Sequence, residues 1–347
     1  FFSAFFDRLA IFFEYLPMTL PITLPMNTMQ HKRLSTAPMI DWSTRDYCYF
    51  ARLFNPYTYL YTEMISTSAI LQGDTDYQLR FYPNEHPLVL QLGGSNPDEL
   101  ARCAKIGQDY GYNEINLNVG CPSDRVQHYK IGACLMAEPK LVADIVSAMR
   151  DAVDIPVTVK HRIGIDNFDS YEFMADFVDH VVKAGCQHVI VHARTAWLQG
   201  LSPKQNREIP PLRYEDVYRL KQDFPDVFVE INGGITTIDE IKTHLTKVDG
   251  VMIGREAYHN PYILAEAMQL WGEPVPSRAD IFYQLLDFLA ASDARGTPLT
   301  AIMRHYLGLF QGLTGSRKWR QALSGQKSLS VAQVREAGEA VLALNVG

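Results

Sequence analysis

The sequence has 347 residues, of which 47% are hydrophobic and 20% are charged. This composition supplies a large core and excludes collagen-like, intrinsically disordered and disulfide-scaffold proteins. The 32 basic and 39 acidic residues give a net charge of −7, which argues against a uniformly basic protein that coats nucleic acid. The five cysteines are odd in number and include no C-x-x-C pair, so a reducing, cytoplasmic location is favoured over a disulfide framework or a zinc ribbon.

Residues 1–30 are expected to be an N-terminal extension outside the main fold. They are largely apolar, but they include Asp7, Arg8, Glu14 and three prolines. A signal peptide needs a basic start and an uninterrupted apolar core, and a membrane helix needs about 20 apolar residues, so neither fits. A weak signal or membrane anchor is the alternative, and Met29 is a candidate for the natural start. We therefore expect no membrane association.

From residue 34 onward, short apolar or β-branched runs alternate with amphipathic stretches of helical length. The eight runs predicted as strands are Leu34–Pro38, Tyr57–Glu63, Leu88–Gly93, Glu114–Val119, Pro156–Lys160, His188–His192, Val227–Asn232 and Gly250–Gly254. The helical stretches between them include Pro97–Tyr110, Pro139–Val153, Ser170–Ala184, Tyr214–Asp223 and Thr237–Leu245. Eight such units predict a parallel (β/α)8 TIM barrel over residues 31–260. A doubly wound open sheet is the alternative, but no G-x-G-x-x-G motif follows the first strand.

The pattern changes after Gly254. From about Pro261 only helical periodicity continues, so residues 261–347 are predicted to form a small helical C-terminal domain. The charge of this region is lopsided, because residues 294–335 contain seven basic residues and no Asp or Glu. A solvated helical face is one interpretation of such a run, and a face that binds an anion, RNA above all, is the other.

In a TIM barrel the loops after the strands build the active site, so residues at strand ends are the candidates. The last two strands end in Gly233-Gly234 and in Gly254-Arg255. Glycines there let backbone N–H groups approach a phosphate, and the arginine adds a fork of donors. Since no strand-end carboxylate cluster or i, i+4 histidine pair points to a metal, we expect the phosphate of an organic cofactor and no metal site.

Four long polar side chains are predicted to point into the same cavity from other strand ends: Gln91, Asn118, Lys160 and His192. Their amide, cationic and imidazole groups suit a planar ring with polar edges, and flavin mononucleotide (FMN) fits them. Lys160 near the N1/O2 edge of a flavin would stabilise the negative charge of its reduced form. The structural alternatives are a salt bridge from Lys160 to a buried carboxylate and a hydrogen-bonded core histidine at His192.

Cys121 follows the fourth predicted strand and precedes Pro122, on a rigid loop beside the same cavity. A thiol beside a reduced flavin can act as general acid, protonating a C=C bond while the flavin N5 delivers hydride. Nucleophilic catalysis is less favoured, because only His128 and His192 are near enough in the sequence pattern to act as a base. The cysteines predicted to be small core residues instead are Cys48, Cys103 and Cys186.

Several of these motifs extend into longer segments: APMIDWSTRDYCYFARL, LVLQLGGSNPDEL, EINLNVGCPSDRV, GACLM, VKHRIG, HARTAWLQGLSPKQNREIPPL, EINGGI and GREAYHNPY. These segments resemble the tRNA-dihydrouridine synthases, in family order from about residue 31 to about residue 330. The sixth segment and HYLGLFQGLTGSRKWRQALS resemble the bacterial A-type subfamily in particular. Residues 1–29 depart from the family, which usually begins near the APM motif.

The resemblance implies an FMN-bound barrel with a helical C-terminal domain, reduction of a tRNA D-loop uridine to 5,6-dihydrouridine at positions 20 and 20a, and NADPH as reductant. Position by position, Cys121 falls on the proton donor. The FMN-contact positions are Pro38, Met39, Gln91, Lys160, His192, Asn232, Gly233, Gly234, Gly254 and Arg255. The tRNA-contact positions are Asn118, Lys204, Arg207, Arg317, Lys318 and Arg320.

A base in folded tRNA is stacked, so an enzyme must expose it before reducing it. We therefore expect the barrel to hold uracil over FMN for hydride transfer to C6, Cys121 to protonate C5, and the acid-free segment to bind tRNA phosphates. The closest alternative is an FMN enzyme that reduces free pyrimidine, like dihydropyrimidine or dihydroorotate dehydrogenases, which would not need the basic helices. A tRNA-binding protein without catalysis is the other alternative. No protein partner is implied.

Overall fold

The computed structural model describes residues 34–123 and 129–345. The strands are β1 (Leu34–Thr36), β2 (Leu60–Ser66), β3 (Leu88–Gly93), β4 (Glu114–Val119), β5 (Val157–Arg162), β6 (His188–His192), β7 (Phe228–Asn232) and β8 (Gly250–Ile253). The helices up to β8 are α1 (Arg45–Phe54), α2 (Thr67–Gln72), α3 (Thr75–Leu79), α4 (Pro97–Tyr110), α5 (Pro139–Ala152), α6 (Tyr171–Lys183), α7 (Tyr214–Asp223) and α8 (Ile238–His244). Those that follow β8 are α9 (Arg255–His259), α10 (Tyr262–Glu266), α11 (Arg278–Ala294), α12 (Leu299–Ile302), α13 (Ser316–Leu323) and α14 (Val331–Ala343).

The eight strands form a closed parallel barrel. Their order is β1-β8-β7-β6-β5-β4-β3-β2, and every paired neighbour is parallel. The first and last strands of this order, β1 and β2, are joined at Tyr59, the residue just before β2. The Thr36 N–H donates to the Tyr59 carbonyl at 3.0 Å, and the Tyr59 N–H donates to the Leu34 carbonyl at 3.1 Å. The predicted TIM barrel is confirmed, and the open doubly wound sheet is wrong.

The barrel interior follows the two-residue period of its strands. A small apolar cluster fills its middle and consists of Ala37, Tyr61, Val89, Ile190 and Met252. In β6 polar residues lie two positions before and after the cluster on the same strand face, where His188 and His192 are on either side of Ile190. The interior therefore carries polar groups at both ends of an apolar plug, and the larger core lies between the barrel wall and the helices.

Local signals in the sequence account for the helix ends. Asn96 caps α4 by accepting hydrogen bonds from the N–H groups of Asp98 and Glu99, and Gly111 ends it with a φ of +101° that favours glycine. Ser170 caps α6 in the same way. The predicted bounds of α4 and α7 are confirmed, α5 ends one residue before the prediction, and α6 and α8 are each one residue shorter at both ends.

Four strand boundaries differ from the prediction by two or three residues. β1 ends at Thr36 and not at Pro38, and β2 ends at Ser66 and not at Glu63. β2 begins at Leu60 and not at Tyr57, because Asn55 Oδ1 accepts from the N–H groups of Tyr57 and Thr58 in a turn. The buried Arg52 guanidinium completes that turn by donating to the Thr58 carbonyl at 2.8 Å. β5 continues two residues beyond the prediction and ends at Arg162, which brings an additional arginine to the carboxyl end of the barrel.

The region after residue 261 is helical, as predicted, and packs on the barrel near the carboxyl ends of the strands. His305 is hydrogen-bonded to Thr44 Oγ1 at 3.1 Å and to the Tyr258 hydroxyl at 3.2 Å. Thr44 caps α1, which follows β1, and Tyr258 lies in α9, which follows β8. The ring of Phe288 in α11 stacks on Tyr49 in α1 with centroids 3.9 Å apart. Lys32–Gly347 forms one compact unit, and the division at residues 31–260 and 261–347 stays a prediction.

The predicted extension over residues 1–30 lies outside the described residues. In the part of the chain that the structure describes, every helix is too short or too polar to cross a membrane.

Packing between the last helix and α11 can be tested at Gly338. An added Cβ would lie 2.2 Å from two ring carbons of Phe282. In an open helix, alanine is more stable than glycine by about 1 kcal/mol, but here we expect Gly338→Ala to lower the free energy of unfolding by about 1–3 kcal/mol through overpacking. Denaturant unfolding measures the difference. The neighbouring exposed change Glu339→Ala is the control and should cost less than about 1 kcal/mol; a stabilising Gly338→Ala would contradict the packing.

Candidate active site

Polar side chains from neighbouring strands meet at the carboxyl end of the barrel. Asn118 Nδ2 donates to Gln91 Oε1 at 2.8 Å, and Lys160 Nζ donates to Asn232 Oδ1 at 3.1 Å. The β4–β5 register pairs Asn118 with Lys160, which joins these two contacts into one group. His192 lies beside the same group, since the β6–β7 register pairs it with Asn232. The structure therefore brings together the ring-contact candidates that the sequence predicts.

Glycines shape the adjoining side of the cavity. Gly233 and Gly234 have φ angles of +118° and +74°, which glycine adopts without strain. The Tyr214 hydroxyl holds this turn by donating to the Gly233 carbonyl at 2.7 Å. A Cβ on Gly254 would be in ordinary contact with Ala37 alone, 3.8 Å away. The backbone at the end of β8 is thus open to close approach, as a phosphate would need, whereas a Cβ on Gly234 after β7 would lie 2.5 Å from the Leu212 side chain.

Arg255 lies beside these glycines and already has a carboxylate partner. Its Nη1 forms an ion pair with Glu208 Oε1 at 2.8 Å, and both side chains are partly exposed. The sequence predicts Arg255 as a phosphate ligand but does not identify Glu208. An anion at the glycines would therefore share or displace this pair.

Pro38 and Met39 lie on the loop after β1. The Met39 N–H donates to Ser43 Oγ at 2.6 Å, and the Ser43 hydroxyl donates back to the Met39 carbonyl at 3.0 Å. The Met39 side chain packs on the apolar plug. Both predicted contact residues are partly exposed and border the cavity from the β1 side.

The backbone at Cys121, just after β4, is held by two hydrogen bonds. Its N–H donates to Asn118 Oδ1 at 3.0 Å, and its carbonyl accepts from the Ala133 N–H at 2.9 Å. A Cβ on Gly132 would lie 2.4 Å from that carbonyl, and the φ of Gly132 is +86°. The thiol is free, and burial raises its pKa above the usual range although the positive charge of Arg162 opposes this. At neutral pH it carries its proton, as a general acid requires.

Comparison with known proteins identifies the family. The sequence model of the family described as dihydrouridine synthase (Dus) matches residues 35–344. The chain belongs to the dihydrouridine synthase family. A tRNA-dihydrouridine(20/20a) synthase of Shewanella oneidensis is 58% identical over 296 residues, which cover 84% of this chain and 88% of the relative. A protein of the same name from Synechocystis sp. is 56% identical over 302 residues, which cover 86% and 90%.

A solved structure shows the fold at much lower identity. A complex of 2-naphthoyl-CoA reductase with 2-naphthoyl-CoA has a TM-score of 0.53 and 11% sequence identity, covering 68% of this chain and 50% of that chain. Likeness at this identity supports the barrel alone.

Dihydrouridine synthases are flavin-dependent, and unpartnered polar groups in the cavity fit such a cofactor. Within the described residues, His192 Nδ1 and Arg194 Nε are buried without a hydrogen-bond partner. Burial and the nearby positive charges of Arg162 and Lys160 lower the pKa of His192 well below its usual range, so the ring is neutral. The alternative of a hydrogen-bonded core histidine is therefore wrong at Nδ1, and this atom is left for a ligand.

Lys160 places a poorly compensated cation in the same cavity. Burial, reinforced by Arg162, lowers the pKa of Lys160 from 10.5 to about 7, and Glu230 offsets this only in part. Among the described residues Lys160 has no ion-pair partner, and it donates a hydrogen bond to the amide oxygen of Asn232. The salt-bridge interpretation is thus not what the structure shows. An anionic flavin ring beside Lys160 would supply the missing negative charge.

Arg162 is a site residue that sequence reasoning did not single out. It is 4% exposed, and it donates from Nε to the Gly120 carbonyl at 3.1 Å and from Nη1 to the Asn206 carbonyl at 3.0 Å. Burial lowers its pKa to about 10, so it remains charged at neutral pH. It ties the Cys121 loop to the loop after β6. The available signal was an arginine two residues beyond Lys160 on the same face of a buried strand.

The candidate tRNA contacts fall in two regions. Lys204 and Arg207 are exposed on the loop after β6, at the barrel mouth. Arg317, Lys318 and Arg320 are on α13, which the buried Trp319 anchors to the helical region. Arg317 and Lys318 are exposed, and Arg320 donates to Gln311 Oε1 at 2.6 Å. Within the part of the chain that the structure describes, no hydrogen bond or ion pair joins these residues of the two regions directly.

Exposed apolar side chains surround the barrel mouth, and sequence reasoning did not find them. They lie on loops that follow β1, β4, β5 and β6, and they are Ile40, Tyr129, Phe168, Trp197 and Ile209, between 42% and 69% exposed. Exposed apolar and aromatic side chains can pack against unstacked bases or riboses of RNA, whereas they offer little to a free phosphate. We name these five residues the apolar rim.

The charge of Lys160 can be tested by its effect on stability in flavin-free protein. Because its pKa is lowered from 10.5 to about 7, the unfolded chain binds more protons than the folded chain between these pH values, and stability rises with pH across that window. Below about pH 7 both states are protonated and the burial penalty is complete. Lys160→Met removes the penalty. Its stability advantage over the native protein should be largest below pH 7 and vanish above about pH 10.5 in unfolding experiments.

The exposed change Lys247→Met is the control for Lys160→Met, and its stability difference should not vary across this window. A pH-independent difference for Lys160→Met would contradict the lowered pKa.

Proposed function

We propose that this chain is an FMN- and NADPH-dependent tRNA-dihydrouridine synthase that reduces the C5=C6 bond of a D-loop uridine at positions 20 and 20a. The observation that carries the proposal is a protonated, partly buried thiol, Cys121, at the mouth of a barrel whose cavity also holds Lys160 and His192, with its unpartnered Nδ1. Family membership and relatives over more than four-fifths of the chain support it.

FMN is the flavin that the cavity suits. The glycines Gly233, Gly234 and Gly254, with Arg255, would hold its phosphate. Residues that would contact its ring are Pro38, Met39, Gln91, Lys160, His192 and Asn232. The chemistry that bound FMN supplies is hydride transfer to C6 of uracil, with NADPH as the proposed source of the electrons. The role of Lys160 is to stabilise negative charge at the ring, since its own charge lacks a carboxylate partner.

Cys121 Sγ is the proposed source of the proton for C5. Burial keeps the thiol protonated, and the positive charges of Arg162, Arg207 and Lys160 oppose that effect. The same charges would stabilise the thiolate that is left after the proton is transferred, so the group can both hold and release its proton. The thiolate then regains a proton from solvent.

The tRNA is proposed to bind across the barrel mouth and the C-terminal helices. Asn118, Lys204 and Arg207 contact the substrate at the mouth, where the apolar rim offers surfaces for unstacked bases. The basic group on α13 contacts tRNA phosphates, which gives residues 261–347 the role of a tRNA-binding domain on the catalytic barrel of residues 31–260. A net charge of −7 is compatible with this because the basic residues are clustered.

We also propose a cytoplasmic location and no protein partner. All five cysteines are free, which suits a reducing compartment in which tRNA is present.

Replacing Cys121 tests the proton donor. We expect Cys121→Ala to keep its flavin and its reduction by NADPH but to lose tRNA reduction by about 10²–10⁴-fold, because acid catalysis is removed. Dihydrouridine in a tRNA transcript and flavin absorbance are measured in parallel. Cys134→Ala is the matched control, since Cys134 is also a partly buried free cysteine close to the same loop, and it should retain activity. Near-normal turnover by Cys121→Ala would refute the assignment.

Neutralising α13 tests the tRNA interface. The triple change Arg317→Gln, Lys318→Gln and Arg320→Gln should raise the KM for tRNA and flatten its salt dependence, each lost phosphate contact lowering the slope by roughly 0.7–0.9. Flavin reduction by NADPH should not change, because these side chains lie outside the cavity.

The control for this triple neutralises exposed basic residues on the barrel wall, at Arg102, Lys105 and Lys140, and should leave the KM unchanged. An enzyme for free pyrimidine would tolerate the α13 triple and reduce uracil efficiently. That result would replace the tRNA assignment, since binding energy from the tRNA body would then be unnecessary.

A further inference from the structure

A series of hydrogen bonds runs through the barrel interior and ends on the Cys121 loop. The N–H groups of Gly120 and Cys121 donate to Asn118 Oδ1 at 3.1 and 3.0 Å. Asn118 Nδ2 in turn donates to Gln91 Oε1 at 2.8 Å. The side chain that holds the loop is thus itself held by a residue of the neighbouring strand.

The series continues toward the amino end of β4. Gln91 Nε2 donates to Asn116 Oδ1 at 2.8 Å, and Asn116 Nδ2 donates to Thr158 Oγ1 at 2.9 Å. The Thr158 hydroxyl donates to Glu114 Oε1 at 2.8 Å. All of these side chains are at most 8% exposed, so water does not readily replace a lost bond. We name Asn118, Gln91, Asn116, Thr158 and Glu114 the barrel network.

The direction of every bond in the barrel network is fixed from both ends. Glu114 Oε1 accepts from the Thr158 hydroxyl and from the Tyr61 hydroxyl at 3.3 Å, so the Thr158 oxygen is left to accept from Asn116. At the other end the loop N–H groups can only donate, and Asn118 must present its oxygen to them. A carboxamide turned by 180° anywhere between would place N–H against N–H or oxygen against oxygen.

We infer that Glu114, Thr158 and Asn116 are positioning residues for Cys121. They orient Gln91 and Asn118 and so hold the Cys121 loop where its thiol can reach the substrate. The part of this inference that concerns the reaction rests on the proposed function. The part that says the barrel network fixes the position of the Cys121 loop does not depend on it.

The same orientation determines what the cavity presents to a ligand. Each carboxamide nitrogen carries two hydrogens, and the barrel network uses one from Gln91 and one from Asn118. Gln91 is fully buried and Asn118 is 8% exposed, so the remaining N–H of Asn118 is the donor available to a carbonyl oxygen of a uracil or flavin ring. A reversed network would present an acceptor there and repel that oxygen.

Thr158 is the point at which to break the barrel network. Thr158→Val keeps the side-chain shape but can neither accept from Asn116 nor donate to Glu114. Thr158→Ser keeps the hydroxyl and is the conservative rescue. If Thr158→Val does not fold, Thr158→Cys serves in its place, because a thiol is similar in size but a much weaker donor and acceptor.

The first measurement is alkylation of the flavin-loaded protein by iodoacetamide, with each cysteine followed by mass spectrometry. We expect Cys121 to react about tenfold faster in Thr158→Val than in the native protein, since the loop loses an oriented anchor. Cys134 provides an internal reference and should react equally in both. Thr158→Ser should resemble the native protein.

The second measurement is tRNA reduction by the same variants. We expect kcat to fall about tenfold in Thr158→Val with little change in the KM for tRNA or in flavin reduction by NADPH, and to recover in Thr158→Ser. A folded Thr158→Val protein with native Cys121 reactivity and native kcat would overturn the inference. If the native protein does not reduce tRNA but Thr158→Val still alters the reactivity of Cys121, the proposed function is refuted. The inference that the barrel network holds the Cys121 loop would then still stand.

Discussion

The site depends on the closure of the barrel between its first and second strands. Two backbone hydrogen bonds, from Thr36 to Tyr59 and from Tyr59 to Leu34, complete the ring. Once the ring is closed, the carboxyl ends of eight parallel strands face one cavity, and residues two positions apart on each strand point into it. Lys160 and Asn232, which are 72 residues apart in sequence, are brought within 3.1 Å in this way. The helices pack against the outside of the barrel, and the loops at the carboxyl end of the strands supply the site residues.

Closure also forces polar groups into the interior, where each needs a partner. At the amino end of the barrel, Glu230 accepts from Ser35 and contacts His188 Nε2 at 3.1 Å, so its carboxylate is compensated by neighbours. At the carboxyl end the compensation is incomplete: His192 Nδ1 lacks a partner among the described residues and Lys160 lacks a carboxylate. His188 Nδ1 at the amino end also lacks a hydrogen bond, but it lies 3.9 Å from Glu114 Oε1. The two ends therefore differ in charge: two carboxylates lie beside His188, and no carboxylate pairs with Lys160 among the described residues. A cavity with an uncompensated lysine suits the negatively charged ring of the proposed cofactor.

Much of this arrangement could be predicted from the sequence because it depends on local periodicity. The alternation of side-chain direction along β5 and β6 places Lys160 and His192 on the inward face of the barrel. The glycines after β7 and β8 can be read directly from the sequence. Partners that depend on contacts between distant segments could not be predicted. Glu208 meets Arg255, and Arg162 meets the Gly120 carbonyl, only because loops after different strands fold over the same mouth. The late start of β2 also depends on a contact between separate segments, because the buried Arg52 of α1 donates a hydrogen bond to the Thr58 carbonyl in the turn before β2.

The central claim is that the barrel mouth transfers reducing equivalents to a uridine in tRNA. Its most direct test is a single turnover without oxygen, in which the protein is loaded with reduced flavin and mixed with an unmodified tRNA transcript. We expect flavin absorbance at about 450 nm to return in proportion to the dihydrouridine formed in the D-loop. A flavin that stays reduced in the presence of tRNA, or that is reoxidised equally well by free uracil, would contradict it.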